Sequence, residues 1–197
     1  MGNSTTVAST SPPPLADFAS LVEGCQRPLY AFLRGIVADD EAARDLMQDT
    51  FCAAWQLAQR GSLPFAPTAD QEDGVRRWLF HAAYNRAISL VRRRRLISWR
   101  SLDTPAAGNM LVHTHATTSF EDQLAEAHVM QTALLALAPA DTACLLLIAA
   151  HDFTAVEVSQ IVGASPQAVA KRFARAKKRL RDAYLTHDPE TQERSHI

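Results

Sequence analysis

Apolar residues recur at helical spacing between residues 15 and 37. They are Phe18, Leu21, Val22, Leu29, Phe32, Leu33 and Ile36. This spacing predicts a helix with one face in a core. Because proline has no backbone N–H and its ring crowds the preceding turn, we expect Pro28 to break or offset the helix into two pieces.

A second helix is predicted from Glu41 to about Arg60, with Asp39 and Asp40 as candidate caps. Its apolar stripe consists of Met47, Phe51, Ala54, Trp55 and Ala58. Its opposite face is acidic and consists of Glu41, Asp45, Gln48 and Asp49. Acids four residues apart repel each other, so a cationic partner would stabilise this face, although the helix dipole also favours acids near an N-terminus. The residues alone favour neither of two interpretations, a docking surface for a partner or a face that is merely solvated.

A third helix is predicted after Gly61–Gly74, which reads as an acidic, Pro-containing loop. One narrow stripe of this helix carries Trp78, Ala82, Asn85 and Ser89, and a separate apolar stripe carries Leu79, Ala83, Ala87 and Leu90. The apolar stripe should face the core. Trp78 is flanked by Arg76, Arg77 and Arg86, a combination that suits single-stranded DNA, because bases stack on aromatic rings for about 1–3 kcal/mol each and arginines hold phosphates. The alternative is that Trp78 is a core residue.

The middle of the chain and its ends lack this periodicity. Residues 96–118 predict a flexible linker, and the Ser/Thr/Pro-rich residues 1–14 and the last residues, 188–197, predict disordered tails. Helical spacing returns over residues 119–137, and Pro139 then opens a nearly uniform apolar helix that should be the centre of a C-terminal domain.

A helix-turn-helix follows. Thr154 and Glu157 have the spacing of a capping box, Gly163 suits the left-handed end of a helix, and Ser165 with Pro166 suits the start of the next. The second helix buries Val169, Phe173, Ala176 and Leu180 on one face. Its other face is cationic and consists of Lys171, Arg172, Arg175, Lys177, Lys178, Arg179 and Arg181. This combination indicates duplex DNA binding, and the alternative is a solvated basic helix.

The net charge of −1 conceals alternating charged segments. Residues 17–49 carry seven acids against three arginines, whereas residues 75–102 carry eight arginines and no acid. Residues 103–170 carry seven acids and no Lys or Arg, and residues 171–181 then add seven positive charges. This pattern predicts two nucleic-acid surfaces and at least one surface for a basic partner.

Few residues suggest other chemistry. Cys25, Cys52 and Cys144 are odd in number and widely spaced, which favours buried free thiols in a reducing cytoplasm over disulfides. His113 and His115 have no further ligands nearby, so no metal or other cofactor is expected. There is no run of 18 apolar residues, which argues against membrane insertion, and no P-loop or catalytic triad, which argues against an enzyme.

Three segments together resemble one family. Residues 45–51, Asp-Leu-Met-Gln-Asp-Thr-Phe, with Trp55 after them, closely resemble the core motif of bacterial RNA polymerase sigma factors of the extracytoplasmic-function (ECF) group. Residues 77–92 resemble that group's helix for the −10 promoter element, and the helix-turn-helix resembles its region 4. The resemblance covers residues 15–95 and 119–185, in the family's order.

This resemblance implies an all-α fold of two small helical domains joined by a flexible linker. Region 2, a helical bundle, would occupy residues 15–95, the linker residues 96–118, and region 4, a four-helix domain with the helix-turn-helix, residues 119–187. The implied partners are core RNA polymerase, through its beta-prime clamp helices and beta flap, promoter DNA, and an anti-sigma factor.

The resemblance also implies three sets of binding residues. The polymerase-binding set is Asp45, Leu46, Gln48 and Asp49. The −10 set is Arg76, Arg77, Trp78, His81, Asn85, Arg86, Ser89 and Arg92. The −35 set is Ser165, Gln167, Ala168, Lys171, Arg172, Arg175, Lys178 and Arg179, because the start of a recognition helix reaches base edges.

The chain departs from the family at several positions of the −10 helix. Ser89 stands where an aspartate is usual, His81 and Tyr84 replace common arginines, and the loop at residues 61–74 is longer and more acidic. A second reading is a stand-alone helix-turn-helix regulator. It would explain residues 139–185 but leave the acidic helix and the Trp78 stripe without a role.

Overall fold

The computed structural model describes residues 15–60, 69–101 and 129–187, which form seven helices and no strand. The helices are α1 (Leu15–Val37), α2 (Asp40–Gln59), α3 (Ala69–Ser101), α4 (residues 129–135), α5 (Pro139–Ala149), α6 (Ala155–Val162) and α7 (Pro166–His187). The all-α prediction is therefore confirmed. The two predicted tails, most of the predicted linker and the first part of the helix predicted at residues 119–137 lie outside the described residues.

Helix α1 runs unbroken through Pro28, so the predicted division into two pieces is wrong. An internal proline costs a helix about 3 kcal/mol. Leu29, Phe32 and Leu33 follow it on one face and are fully buried, and each such side chain contributes about 1.5–3 kcal/mol when buried. Burial of this face therefore outweighs the lost hydrogen bond.

Helix α2 begins with the predicted cap. The Asp39 carboxylate accepts a hydrogen bond from the Ala42 backbone N–H at 3.0 Å, and this bond is the main reason why the pKa of Asp39 lies below its usual range. Asp40 pairs with Arg34 of α1, which lowers the pKa of Asp40 as well. The turn between α1 and α2 is thus held by the two aspartates that were predicted to cap it.

Helix α3 is longer at both ends than its apolar pattern indicates. It begins at Ala69, inside the segment predicted as a loop up to Gly74, and it continues through Ser101 into the segment predicted as a linker from residue 96. Leu96 and Ile97 on this extension are exposed. A helix that extends beyond the core has no buried face, so apolar spacing cannot reveal it.

The helix-turn-helix has the predicted stereochemistry. Thr154 and Glu157 form the full capping box of α6, and Gly163 ends α6 in the left-handed conformation with φ 64°. The Ser165 hydroxyl accepts a hydrogen bond from the Ala168 N–H at 3.2 Å, and α7 then starts at Pro166.

The two groups of helices, α1–α3 and α4–α7, share one apolar core. Phe32 of α1 and Phe80 of α3 are fully buried in the same cluster as Leu147 of α5, Ile161 of α6 and Val169 of α7. The two predicted domains are therefore packed directly against each other. The sequence indicates their existence but not this contact, because each domain has an amphipathic pattern of its own.

His151 lies at the junction of the two groups, on the turn after α5. Its ring is buried against Phe32 and Phe80, with ring centroids 6.0 and 4.8 Å away. Burial, assisted by the Arg76 guanidinium and opposed by Asp152, lowers the pKa of His151 to about 4. The imidazole is therefore neutral in the folded chain at neutral pH.

We predict that the free energy of unfolding falls as the pH is lowered from about 6.5 to 4. The unfolded histidine titrates near pH 6.5, so across this window the unfolded chain binds more protons than the folded one, and the loss amounts to up to about 3 kcal/mol. Chemical denaturation of the wild type and of His151→Phe at pH 7 and pH 4.5 measures it. The variant should lose less stability, and equal losses in the two proteins would contradict the assignment.

Candidate nucleic-acid interfaces

The acidic face of α2 is open to solvent. Asp45, Gln48 and Asp49 are exposed, and within the described residues neither Asp45 nor Asp49 forms an ion pair. Leu46 is half-buried and packs against the core beneath them. The apolar stripe of α2 faces inward as predicted, so the helix presents a negatively charged surface that its own fold leaves unpaired.

Cys52 lies on the same exposed side of α2, three residues after Asp49, so the prediction that all three thiols are buried is wrong for this one. Cys25 is half-buried and Cys144 is buried, and burial raises the pKa of both thiols. All three are free thiols, as predicted.

The N-terminal half of the −10 set is half-buried and contacts α6 and the turn before it. The Arg76 guanidinium donates to the His151 backbone oxygen at 2.6 Å and lies 4.3 Å from the centroid of the Phe153 ring. Arg77 donates to the Gln160 side-chain oxygen at 2.9 Å. These two arginines therefore link α3 to the C-terminal group of helices.

His81 makes a third link of this kind. Its Nδ1 is 2.7 Å from the Ile161 backbone oxygen, and because a carbonyl only accepts, Nδ1 must carry the proton. In the neutral ring Nε2 is then an acceptor for the Asn85 amide, 3.0 Å away. The contact between the two groups of helices thus determines the tautomer of His81 and holds Asn85.

The C-terminal half of the −10 set remains accessible. Asn85, Ser89 and Arg92 are exposed, and Arg86 is half-buried and donates to the Ala82 backbone oxygen at 3.2 Å. Beyond Arg92, Arg94 donates to Asp39 at 2.8 Å across the exposed surface. The structure therefore divides the −10 set into a covered and an open half.

Trp78 is neither a fully buried core residue nor an open platform. It is half-buried and packs against the core, while its stripe neighbour Ala82 is buried. Trp78 also lines an open pocket of about 380 Å³ between α3 and α6, together with Gly74, Arg77, His81, Gln160 and Ile161. The Arg77 Nε is buried there without a hydrogen-bond partner among the described residues.

Most of the −35 set lies on the exposed face of α7. Gln167, Lys171, Arg175, Lys178 and Arg179 are exposed, and Ala168 and Arg172 are half-buried. On the opposite face Val169 and Ala176 are fully buried, as predicted. Ser165 is exposed, but its hydroxyl caps α7.

Arg175 is held by a residue that the sequence did not single out. Its guanidinium donates two hydrogen bonds of 2.8 Å to the Asp141 carboxylate on α5, and only 4% of the Asp141 side chain is exposed. Such bidentate pairs restrict the geometry as well as contribute energy. In the sequence, Asp141 stands near the start of an apolar helix, where its charge interacts favourably with the helix dipole. Its pairing with Arg175 follows only from the packing of α5 against α7.

Two further classes of site receive no support from residues 15–60, 69–101 and 129–187. Within them, no three His, Cys, Asp or Glu side chains cluster in a way that could hold a metal ion. None of their helices combines the length and the apolar character needed to cross a membrane. His113 and His115 lie outside the described residues.

Comparison with known proteins identifies both groups of helices. The Sigma-70 region 2 family matches residues 21–97, and the Sigma-70, region 4 family matches residues 127–180. No curated protein matches the chain significantly by sequence. The fold is similar to that of the sigma factor RpoE from Bartonella quintana, solved in a co-crystal with the anti-sigma factor NepR. That match has a TM-score of 0.65 and 24% identity and covers 86% of this chain and 97% of that one.

The region 2 match disfavours the stand-alone regulator, which would leave α2 and α3 without a role. The two matches stand in the order that the sequence predicted and together span about two thirds of the chain. The chain belongs to the sigma-70 family, as a sigma factor that acts with core RNA polymerase in promoter-specific transcription initiation.

Proposed function

We propose that this sigma factor divides initiation among three surfaces on three helices. Region 2, residues 15–95 with the helical extension to Ser101, would supply α2 for polymerase docking and α3 for the −10 element. Region 4, residues 119–187, would supply α7 for the −35 element. The observation that carries the proposal is that one unpaired acidic surface and two basic surfaces lie on separate helices of these two regions.

The acidic face of α2 is suited to a basic partner surface. Asp45, Gln48 and Asp49 are exposed, and Leu46 supports them from the core. We assign this face to the clamp helices of the polymerase beta-prime subunit, and region 4 to the beta flap. Charged surfaces of this kind contribute mainly to association rate and orientation.

The −10 element would be read along α3. Exposed Asn85 and Ser89 offer polar groups to bases, Arg92 offers a charge to the phosphate backbone, and Trp78 offers a ring for stacking. Ser89 stands where the family usually has an aspartate, so we expect a −10 preference that differs from that of its relatives.

The −35 element would be read by the start of α7 in the major groove. Gln167 and Lys171 are exposed on its first turns, where side chains of a recognition helix meet base edges. Lys178 and Arg179, further along, would contact phosphates, and Asp141 would hold Arg175 in a fixed orientation for the same purpose.

An anti-sigma factor is a further proposed partner. RpoE of Bartonella quintana has a similar fold and was crystallised with the anti-sigma factor NepR. We expect a protein of that functional class to bind this chain, which would work in the cytoplasm, where RNA polymerase is found. Catalysis would belong to the polymerase and not to this chain.

The docking proposal predicts that Asp49→Arg reduces retention of core polymerase by about tenfold or more, because the new charge would face a basic surface. Pull-down of purified core enzyme by the tagged chain at low salt measures this. Glu23→Arg on α1 is the matched control, since it makes the same change at another exposed acid. Equal retention by both variants would contradict the docking role of α2.

The −35 proposal predicts different effects for two residues of α7. Gln167→Ala should change which duplexes the holoenzyme selects from a random DNA pool, because it removes a base-edge contact. Lys178→Ala should weaken binding to all sequences and reduce the slope of log affinity against log salt by about one. The division between readers and phosphate contacts is wrong if both variants shift selection alike or both leave it unchanged.

A further inference from the structure

Three hydrogen-bonding side chains form a ladder along α3. His81, Asn85 and Ser89 follow one another at intervals of four residues, which places them on one face of the helix. Asn85 and Ser89 are exposed, and His81 is half-buried. Because all three belong to the −10 set, the donors and acceptors that they leave unused determine which bases this face can bind.

The first hydrogen bond of the ladder orients the Asn85 amide. The Ile161 backbone oxygen accepts from Nδ1 of His81 at 2.7 Å, so Nε2 of the neutral ring carries no proton. Nε2 accepts one of the two hydrogens of Asn85 Nδ2, which lies 3.0 Å away. Because nitrogen and oxygen leave the amide carbon in different directions, Asn85 Oδ1 lies on the side away from the imidazole. Within the described part of the chain, no donor reaches this oxygen.

The second hydrogen bond uses the hydroxyl hydrogen of Ser89. Ser89 Oγ donates to the Asn85 backbone oxygen at 2.7 Å, one turn earlier in α3. Serine often makes this bond to the carbonyl four residues before it in a helix. A hydroxyl has one hydrogen and two lone pairs, so Ser89 Oγ is left as an acceptor. Asn85 Oδ1 and Ser89 Oγ therefore form an acceptor pair on the exposed face of α3.

Two arginines flank the acceptor pair along the helix. Arg86 is half-buried and donates to the Ala82 backbone oxygen at 3.2 Å. Arg92 is exposed and lies three residues beyond Ser89. A guanidinium at that end of the ladder suits the phosphate next to a bound base. The acceptor pair is then the part of this face that meets the base itself.

The chemistry of the bases turns an acceptor pair into a preference. Adenine and cytosine each carry an exocyclic amino group, which is a donor, where thymine carries a carbonyl oxygen. We propose that the acceptor pair selects an amino-bearing base, adenine or cytosine, over thymine at the −10 position that it faces, with His81 as the positioning residue for Asn85. This inference rests on the −10 role proposed above for α3 and names the class of base that this role would select.

The residue at position 81 decides which atom Asn85 offers to DNA. Arginine is common there in the family, and a guanidinium has only donors. It would pair with Asn85 Oδ1, so that the amide would turn its nitrogen outward. His81→Arg should therefore replace an acceptor by a donor on the exposed face without changing Asn85 itself. Ser89→Ala, at an exposed position, removes the other acceptor without touching His81.

NMR spectroscopy of the full chain tests the tautomer of His81 directly. Long-range 1H–15N correlation spectra distinguish a histidine protonated on Nδ1 from one protonated on Nε2, because the two ring nitrogens are chemically distinct. Loss of one histidine signal in His81→Gln assigns the signal of His81. At neutral pH the wild type should carry the proton on Nδ1. A proton on Nε2 would remove the positioning role, since Nε2 would then donate to Asn85 Oδ1.

Single-strand binding by the reconstituted holoenzyme tests the preference. Short strands of deoxycytidine and deoxyuridine differ in that uracil has an oxygen in place of the cytosine amino group. The wild type should bind the deoxycytidine strand about five- to tenfold more tightly, as expected for one specific base-edge contact. Strands of deoxyadenosine and deoxyinosine make the same comparison for purines. His81→Arg should abolish or invert both ratios, and Ser89→Ala should reduce them.

Arg92→Ala is the matched control for charge. It should weaken binding to both strands by the same factor and leave their ratio unchanged, because a phosphate contact does not distinguish bases. Comparing two strands within each variant also cancels the general effect of the charge that His81→Arg adds.

The outcomes separate this inference from the proposed function. If the wild type binds both strands equally, or prefers deoxyuridine, while Asn85→Ala weakens binding, α3 contacts the strand but the acceptor pair does not select its base. If Asn85→Ala, Ser89→Ala and Arg92→Ala all bind like the wild type, the −10 role of α3 is itself wrong. An unchanged ratio in His81→Arg would contradict the positioning role of His81 alone.

Discussion

The contact of residues 151–153 with the aromatic side chains of α1 and α3 is the interaction on which the rest of the structure depends. His151 and Phe153 lie in one cluster with Phe32 and Phe80, and Arg76 covers the Phe153 ring while donating to the His151 carbonyl. Burial of these rings joins two helical groups that would otherwise each have their own small core. It also keeps His151 neutral, since its pKa is lowered to about 4.

Joining the groups in this way has a consequence for their chemistry. Leu79 and Ala83 belong to the buried stripe of α3, and only a narrow surface of the helix lies on either side of that stripe. A neighbour that packs beside this stripe necessarily reaches the side chains flanking it, which are Arg76, Arg77 and His81. The same helix face can therefore serve the intramolecular contact or a DNA strand, but not both at the same time. Helices α2 and α7 largely avoid this conflict, because Asp45 and Asp49 of α2 and Lys171 and Lys178 of α7 are exposed.

Much of the fold follows from local patterns. Capping residues placed the starts of α2, α6 and α7 correctly, and the predicted apolar stripes of α2 and α7 are buried or half-buried. Predictions failed where local and tertiary forces disagree. Pro28 weakens α1 locally, but the buried face after it maintains the helix, and α3 continues past residue 95, where Leu96 and Ile97 are exposed.

The candidate sites remain predictions, of which the structure shows only the exposure and the contacts of the residues it describes. Charge, spacing and family resemblance selected all three sets of residues, and comparison of the two regions supports the family itself. The partners of those residues were not predictable. Asp141 is distant in sequence from Arg175, and Gln160 is more distant still from Arg77. No periodicity within one helix contains information about such pairs.

The sequence by itself therefore determined the helices, their charged faces and the family, because caps, helical spacing and motifs act over a few residues. Only the tertiary structure decided which helix faces remain accessible to partners. Accessibility depends on contacts between residues about 75 or more positions apart, such as Arg76 with His151. Asp45 and Gln167 are exposed, and Cys52 is exposed against the prediction. The His81 ring is hydrogen-bonded to the Ile161 backbone oxygen. The physical reason is that burial is shared between the two groups of helices, and neither group specifies it alone.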